Sequence, residues 1–317
     1  MPGQSPNANI EQRAYMGGHF AVEVDGTLGG WLFSAEGGNP AAEVISEKVG
    51  PDHIAHKHIG GIKYDDLTVT CGAGMNRSFY QWIEKSFGMN AERKHGAIVA
   101  ADYNFKERSR LTFHNGLITE VTMPALDAGA KDPARLTVKI TPEYTRQTMT
   151  RSGPTLGGSG IYEKVKHWLP SNFRLWIRGL ELPCSRVSKI DAISFKQKIV
   201  ESPINESRDF DREPAAVEVS NLVITVPESH AEPLYQWFED FAIRGNNSND
   251  DEKDGHLEYL SPNTRDEYFR ISMGNIGIFK LTADKLEAGG ETIRRVKAEL
   301  YVETMKFEYE GGKAFGS

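Results

Sequence analysis

Tyr80-Gln81-Trp82-Ile83 and Tyr235-Gln236-Trp237-Phe238 lie 155 residues apart, and the same interval separates Leu67-Thr68-Val69-Thr70-Cys71 from Leu222-Val223-Ile224-Thr225-Val226. One interval shared by a strand-like run and the helix-like run after it means that a supersecondary unit is present twice. Working outward, the correspondence persists with small drift. Residues 20–26 answer to 173–179 at an interval of 153. Arg110-Leu111-Thr112-Phe113-His114-Asn115 answers to Arg270-Ile271-Ser272-Met273-Gly274-Asn275, and Leu126-Asp127-Ala128 to Leu286-Glu287-Ala288, both at 160. Short loop insertions produce drift of this kind. Two copies of one module suggest a building block that presents surfaces at regular intervals, although some enzymes are also duplicated.

In the first copy Phe20-Ala21-Val22-Glu23-Val24 alternates as a strand, Asp25-Gly26 is a hairpin signal, and Trp31-Leu32-Phe33 forms the return. Residues 36–61, punctuated by Gly37-Gly38-Asn39-Pro40, Gly50-Pro51 and Gly60-Gly61, read as a long loop. A strand over 64–71 leads to Asn76, an N-cap for a helix that carries Phe79, Trp82, Ile83 and Phe87 at helical spacing and closes at Gly88. Strands follow at 97–100, 110–114, 117–123 and 135–140, parted by Asn115-Gly116 and Asp132-Pro133. The second copy fills the same slots with strands at 173–177, 180–184, 193–200, 216–226, 257–260, 268–273, 276–281 and 294–305, and a helix around 234–243. The expected fold class is mainly β (α+β), two tandem antiparallel β-sandwich or barrel domains, each with a flanking α-helix. Domains are expected at 15–148 and 172–310. A flexible N-terminus (1–14), a Gly-rich linker with a short helix (149–171) and a flexible C-terminus (311–317) complete the division. Trp82 and Trp237 sit mid-helix, where a large aromatic buries most area, so Phe79, Trp82, Ile83, Leu234, Trp237 and Phe238 are the expected structural core.

Composition bounds the function. With 317 residues, 39% hydrophobic and 26% charged, the chain suits two ordinary globular domains. No run approaches the ~18 apolar residues of a membrane-spanning helix. Residues 1–11 lack a basic-then-apolar signal region, so export by that route is not expected. A net charge of −7 argues against a chain whose task is to grip nucleic acid, since phosphate neutralisation needs clustered Lys and Arg. Cys71 and Cys184, the only cysteines, lie in different halves and read as buried free thiols in a reducing compartment.

No candidate for chemistry in the chain is complete. His53, His56 and His58 could share a metal, but no carboxylate at suitable spacing completes a site and the second copy has no matching histidines, so a solvated or subunit-contacting loop is the better reading. Asp250-Asp251-Glu252-Lys253-Asp254-Gly255 superficially resembles a calcium loop, but its third position is Glu252 rather than Asp or Asn and its twelfth is Ser261, where a bidentate Glu is needed. Gly72-Ala73-Gly74 lacks the third glycine and the βαβ context of a dinucleotide site. No nucleophile with a base, carboxylate pair or phosphate loop recurs in both halves. The chain is therefore expected not to be an enzyme and to need no cofactor or metal.

The order of motifs is more specific than any one of them. Phe20-Ala21-Val22-Glu23-Val24-Asp25-Gly26, then Trp31-Leu32-Phe33-Ser34, the long segment ending Gly60-Gly61-Ile62-Lys63-Tyr64-Asp65-Asp66-Leu67-Thr68-Val69, the Tyr80-Gln81-Trp82 helix and Arg110-Leu111-Thr112-Phe113-His114-Asn115-Gly116 together resemble the tail-tube proteins of contractile-tailed phages and related injection systems. The resemblance covers roughly residues 15–145 and, more weakly, 173–308. It implies a β-sandwich with a flanking helix that assembles into rings, neighbouring inner sheets joining round a lumen, with a long loop reaching the adjacent ring. It brings no catalytic residues. A single copy is usual in that family, so a fused pair implies either a trimeric pseudo-hexamer or a hexamer spanning two layers, in a tube, hub or tube-terminal position. The implied partners are further copies of the chain and neighbouring tube, sheath or baseplate proteins, with DNA or protein cargo passing without sequence-specific binding and no membrane. The implied setting is a virion or injection-system particle assembled in the bacterial cytoplasm. His53, His56, His58 and, in the long 190–214 segment, Phe210, Asp211 and Arg212 are the candidates for inter-subunit loops. A two-domain β-sandwich binding module that forms no ring is the alternative.

Overall fold

The computed structural model describes residues 18–48, 55–88, 91–150, 153–157, 168–203, 210–285 and 293–309. The first copy contains β1 (His19–Val24), β2 (Thr27–Gly37), β3 (Pro40–Glu47), β4 (His56–Tyr64), β5 (Leu67–Cys71), α1 (Arg77–Ser86), β6 (Lys94–Ala101), β7 (Glu107–Met123), β8 (Leu126–Asp127), β9 (Leu136–Thr141) and β10 (Tyr144–Met149). Asp25 and Gly26 both have positive φ, the pair of left-handed residues that a two-residue hairpin between β1 and β2 requires. Every strand pair is antiparallel, and β7 pairs with both β6 and β9. The order β7-β6-β1-β2-β5-β9 therefore returns to β7 and closes a six-stranded barrel, which leaves those strands without a free edge along their paired lengths.

Asn115-Gly116 does not reverse the chain. Only Asn115 takes a positive φ, 49°, so the chain makes a bulge and continues as one 17-residue strand. Asn275 repeats this at 57° within the 17-residue strand of the second copy. The side-chain amide of Asn115 donates to Glu143 (2.7 Å) and that of Asn275 to Glu252 (2.7 Å). The stretch read as a loop over 36–61 contains the β3–β4 hairpin, because Gly37 and Gly38, at φ of 86° and 72°, turn the chain out of β2 without ending its extended character. A Cβ on Gly37 would stand 1.9 Å from the Asp66 carbonyl oxygen.

The second copy contains β11 (Phe173–Ile177), α2 (Glu181–Cys184), β12 (Lys189–Ile190), β13 (Ile193–Pro203), β14 (Phe210–Val219), β15 (Leu222–Pro227), a 3-10 turn (Glu228–His230), α3 (Glu232–Phe238) running into a π-helical turn (Glu239–Ile243), β16 (Lys253–Leu260), β17 (Glu267–Ala283) and β18 (Arg295–Glu308). Residues 180–184 were expected as a strand and form α2 instead. Gly179 at φ 74° turns the chain, and Pro183 offers no N–H to a ladder. The missing strand has a topological effect. Where β1 and β2 pair to close the first barrel, β11 and β12 do not, and the second sheet stays open in the order β11-β16-β17-β18-β15-β12-β8.

The helices seal these sheets. Asn76 accepts from the Phe79 N–H at 2.9 Å, capping α1, which buries Phe79, Tyr80, Trp82 and Ile83. Tyr80 reaches the other copy, its ring 4.8 Å from that of Tyr309 and 4.9 Å from that of Phe269. In α3, Leu234 and Trp237 are buried and Phe238 is half-buried. A single cluster of buried apolar residues runs through both copies.

Candidate assembly interface

Two strand exchanges join the copies. On one edge of β7, β9 and β10 follow each other in continuous register, with Leu117 opposite Thr141 and His114 opposite Tyr144. On the other edge β6 ends at Gly116, and β13 occupies the place beyond it through Ile193↔Met123, Ser194↔Thr122, Phe195↔Val121 and Lys196↔Glu120. Phe195 is fully buried, its ring 5.4 Å from Phe87. Glu120 lies 3.4 Å from Lys139 and 3.3 Å from Lys196, so this carboxylate of β7 is flanked by a lysine on each neighbour. An open cleft of about 300 Å³, lined by Asp66, Glu120, Lys139, Lys196, Lys198 and Glu218 among others, follows this seam. In return β8 of the first copy pairs with β12 of the second through Leu126↔Ile190 and Asp127↔Lys189. Lys189 stands 2.8 Å from Asp127 and, with the Gly129 N–H, holds that carboxyl below its ordinary range.

The copies also share an ionic motif. Arg110 bridges Glu107 and Glu23, and those bonds, Glu107 first, raise the guanidinium above its ordinary value. Arg270 bridges Glu267 and Glu258 in the same way. Sequence reasoning found the arginines but not the carboxylates, although Glu107-x-x-Arg110 and Glu267-x-x-Arg270 recur at 160 and could have been noticed. A second pair was also missed. Glu120 faces Lys139 across β7–β9, and at the same interval Lys280 faces Glu299 across β17–β18, 2.7 Å apart with the signs exchanged.

Those of the residues expected at inter-subunit loops that are described lie on hairpins. His56 and His58 sit exposed at alternate positions of β4, and His53 lies outside the described residues. Among the described residues no group of His, Cys, Asp or Glu has the arrangement of a metal site. Phe210, Asp211 and Arg212 belong to β14, opposite Pro203, Ser202 and Glu201. The structure places them in a different sheet from His56 and His58. Within the acidic run, Glu252 is buried and accepts from the Tyr301 hydroxyl at 2.6 Å as well as from Asn275, which makes it a sheet-binding residue. Burial and then Glu252 push the Tyr301 phenol well up. Cys71 and Cys184 are free and buried, and desolvation pushes both thiols up to about 12. No helix is long and apolar enough to cross a membrane among the described residues.

Residues 17–146 match the model of the T4-like virus tail tube protein gp19 family, so the resemblance read from motif order is borne out over the closed barrel. Among solved structures, the chain is similar to one from the PVC sheath-tube complex of an extracellular contractile injection system in its extended state, at 18% identity, 47% of this chain, 100% of that one and a TM-score of 0.40. It is similar to one from the PVC sheath/tube terminator, at 20% identity, 44% of this chain, 99% of the other and a TM-score of 0.38. A third is Hcp1 from Flavobacterium johnsoniae, at 10% identity, 43% and 94% coverage and a TM-score of 0.26. No curated protein matches.

Proposed function

We propose that the chain is a structural component of a phage tail or contractile injection system, forming a ring-shaped tube, hub or tube-terminal segment round a channel for DNA or a protein effector. The observation that carries this reading is that the barrel matched by the tail-tube family is joined edge to edge to a second copy of its own module. Two tube-like domains, 15–148 and 172–310, then place six domains in a ring of three chains, or twelve over two layers in a ring of six. The function is mechanical and non-enzymatic. Its partners are copies of itself and tube, sheath or baseplate proteins of a particle assembled in the bacterial cytoplasm, with His53, His56, His58, Phe210, Asp211 and Arg212 near contacts between subunits.

Negative-stain imaging of the purified chain, alone and with neighbouring tail proteins, tests this. Rings with threefold or sixfold symmetry are expected. A protein that stays monomeric at high concentration, even with those partners, overturns the reading in favour of a binding module.

A further inference from the structure

The first copy's hairpin and the second copy's β17 are the two halves of a joint that the chain makes once and leaves open once. In the joint already made, Ile193 and Phe195 of β13 are buried, and so are Val121 and Met123 of β7. The equivalent surfaces at the other end of the chain are uncovered. All eight residues of β3 are exposed, Val44 by 56% and Ile45 by 44%. On β17 the β16 edge is paired only as far as Ile276, and of residues 279–283, which correspond to 119–123 at the 160 interval, four are exposed and Leu281 is half-buried. Residues 279–283 have no partner strand on that edge among the described residues. A free edge with exposed apolar side chains is a template for another strand.

Resting on the ring reading above, we propose that β3 of one chain pairs with residues 279–283 of β17 in a second copy of the same chain, repeating between chains the β13–β7 joint with its charges reversed. Charge identifies the occupant. β7 offers Glu120, and the strand laid on it carries Lys196 and Lys198. β17 offers Lys280, and the only charged residues of β3 are Glu43 and Glu47. At the 153 interval of residues 20–26 and 173–179, Ile193 to Lys196 correspond to Pro40 to Glu43, which sets Glu43 beside Lys280 as Lys196 stands beside Glu120. The two contacting surfaces differ, so the joint is head-to-tail and propagates until a ring closes.

Glu43→Lys should keep the wild-type Tm, since that position is exposed, whereas Lys280→Glu, which also breaks the ion pair to Glu299, should lower it modestly; each should associate more weakly by roughly tenfold or more in sedimentation velocity, from like charges meeting across the joint. The double variant should recover assembly. As a geometric readout, Ala41→Cys on one chain and Thr282→Cys on another should form a disulfide on oxidation, with the buried Cys71 and Cys184 not competing. Rings that assemble normally with either single variant, or a double variant no better than the singles, overturn the joint while leaving the tube reading intact. A wild-type chain that never assembles overturns both.

Discussion

Trp82 and Trp237 hold equivalent places in the two helices and differ in how well they are enclosed. Trp82 is fully buried and donates its indole N–H to the Glu92 carbonyl at 2.8 Å. Trp237 is 9% exposed, its indole N–H has no partner among the described residues, and the Lys253 ammonium lies 5.3 Å from its ring centre. Replacement by alanine should therefore cost about 4–5 kcal/mol at Trp82 and about 3 kcal/mol at Trp237, read from urea denaturation. Cys71 gives a pH signature. Burial pushes its thiol up from an ordinary 9.0 to about 12, so the neutral thiol is favoured in the fold. That contribution is whole below pH 9 and is lost as pH rises from 9 towards 12. Thermal stability of Cys71→Ala should consequently fall less steeply than wild type across that window, and an equal slope would refute the assignment.

Elements carry the clearest contrast between what the chain announces and what it conceals. The hairpin at Asp25-Gly26, the cap at Asn76 and the amphipathic spacing of α1 were legible because each depends on neighbours within a few residues. Asn115-Gly116 misled because the same dipeptide serves a reversal or a bulge, and only pairing with β6, β9 and β10 decides between them. The β13–β7 and β8–β12 exchanges were not legible, since nothing local tells a strand which copy's sheet it will join. Asn115→Val should cost about 1–2 kcal/mol, because a β-branched residue resists positive φ, whereas Asn115→Gly should cost less. Phe195→Ala should cost about 3–4 kcal/mol through its buried packing, against under about 0.5 kcal/mol for Val44→Ala on the exposed hairpin. Equal effects at the two hairpins would show that their burial does not differ as described.

At the scale of the whole molecule, the link between copies is not what holds them together. Two strand exchanges and a common core span the halves, with Tyr80 of the first against Phe269 and Tyr309 of the second. A protease site inserted between residues 157 and 168 should therefore yield two fragments that still co-elute after cleavage, and their separation in native buffer would contradict the interleaved arrangement. In the proposed ring the β13–β7 joint differs from the joints between chains in how it forms. Tethered partners meet at an effective concentration on the order of millimolar, so this joint forms at any dilution, while joints between chains obey mass action. In the ring proposed above, every second contact is thereby removed from the law of encounters. Dilution of such a ring should end at single chains with one seam intact, and never at separated modules.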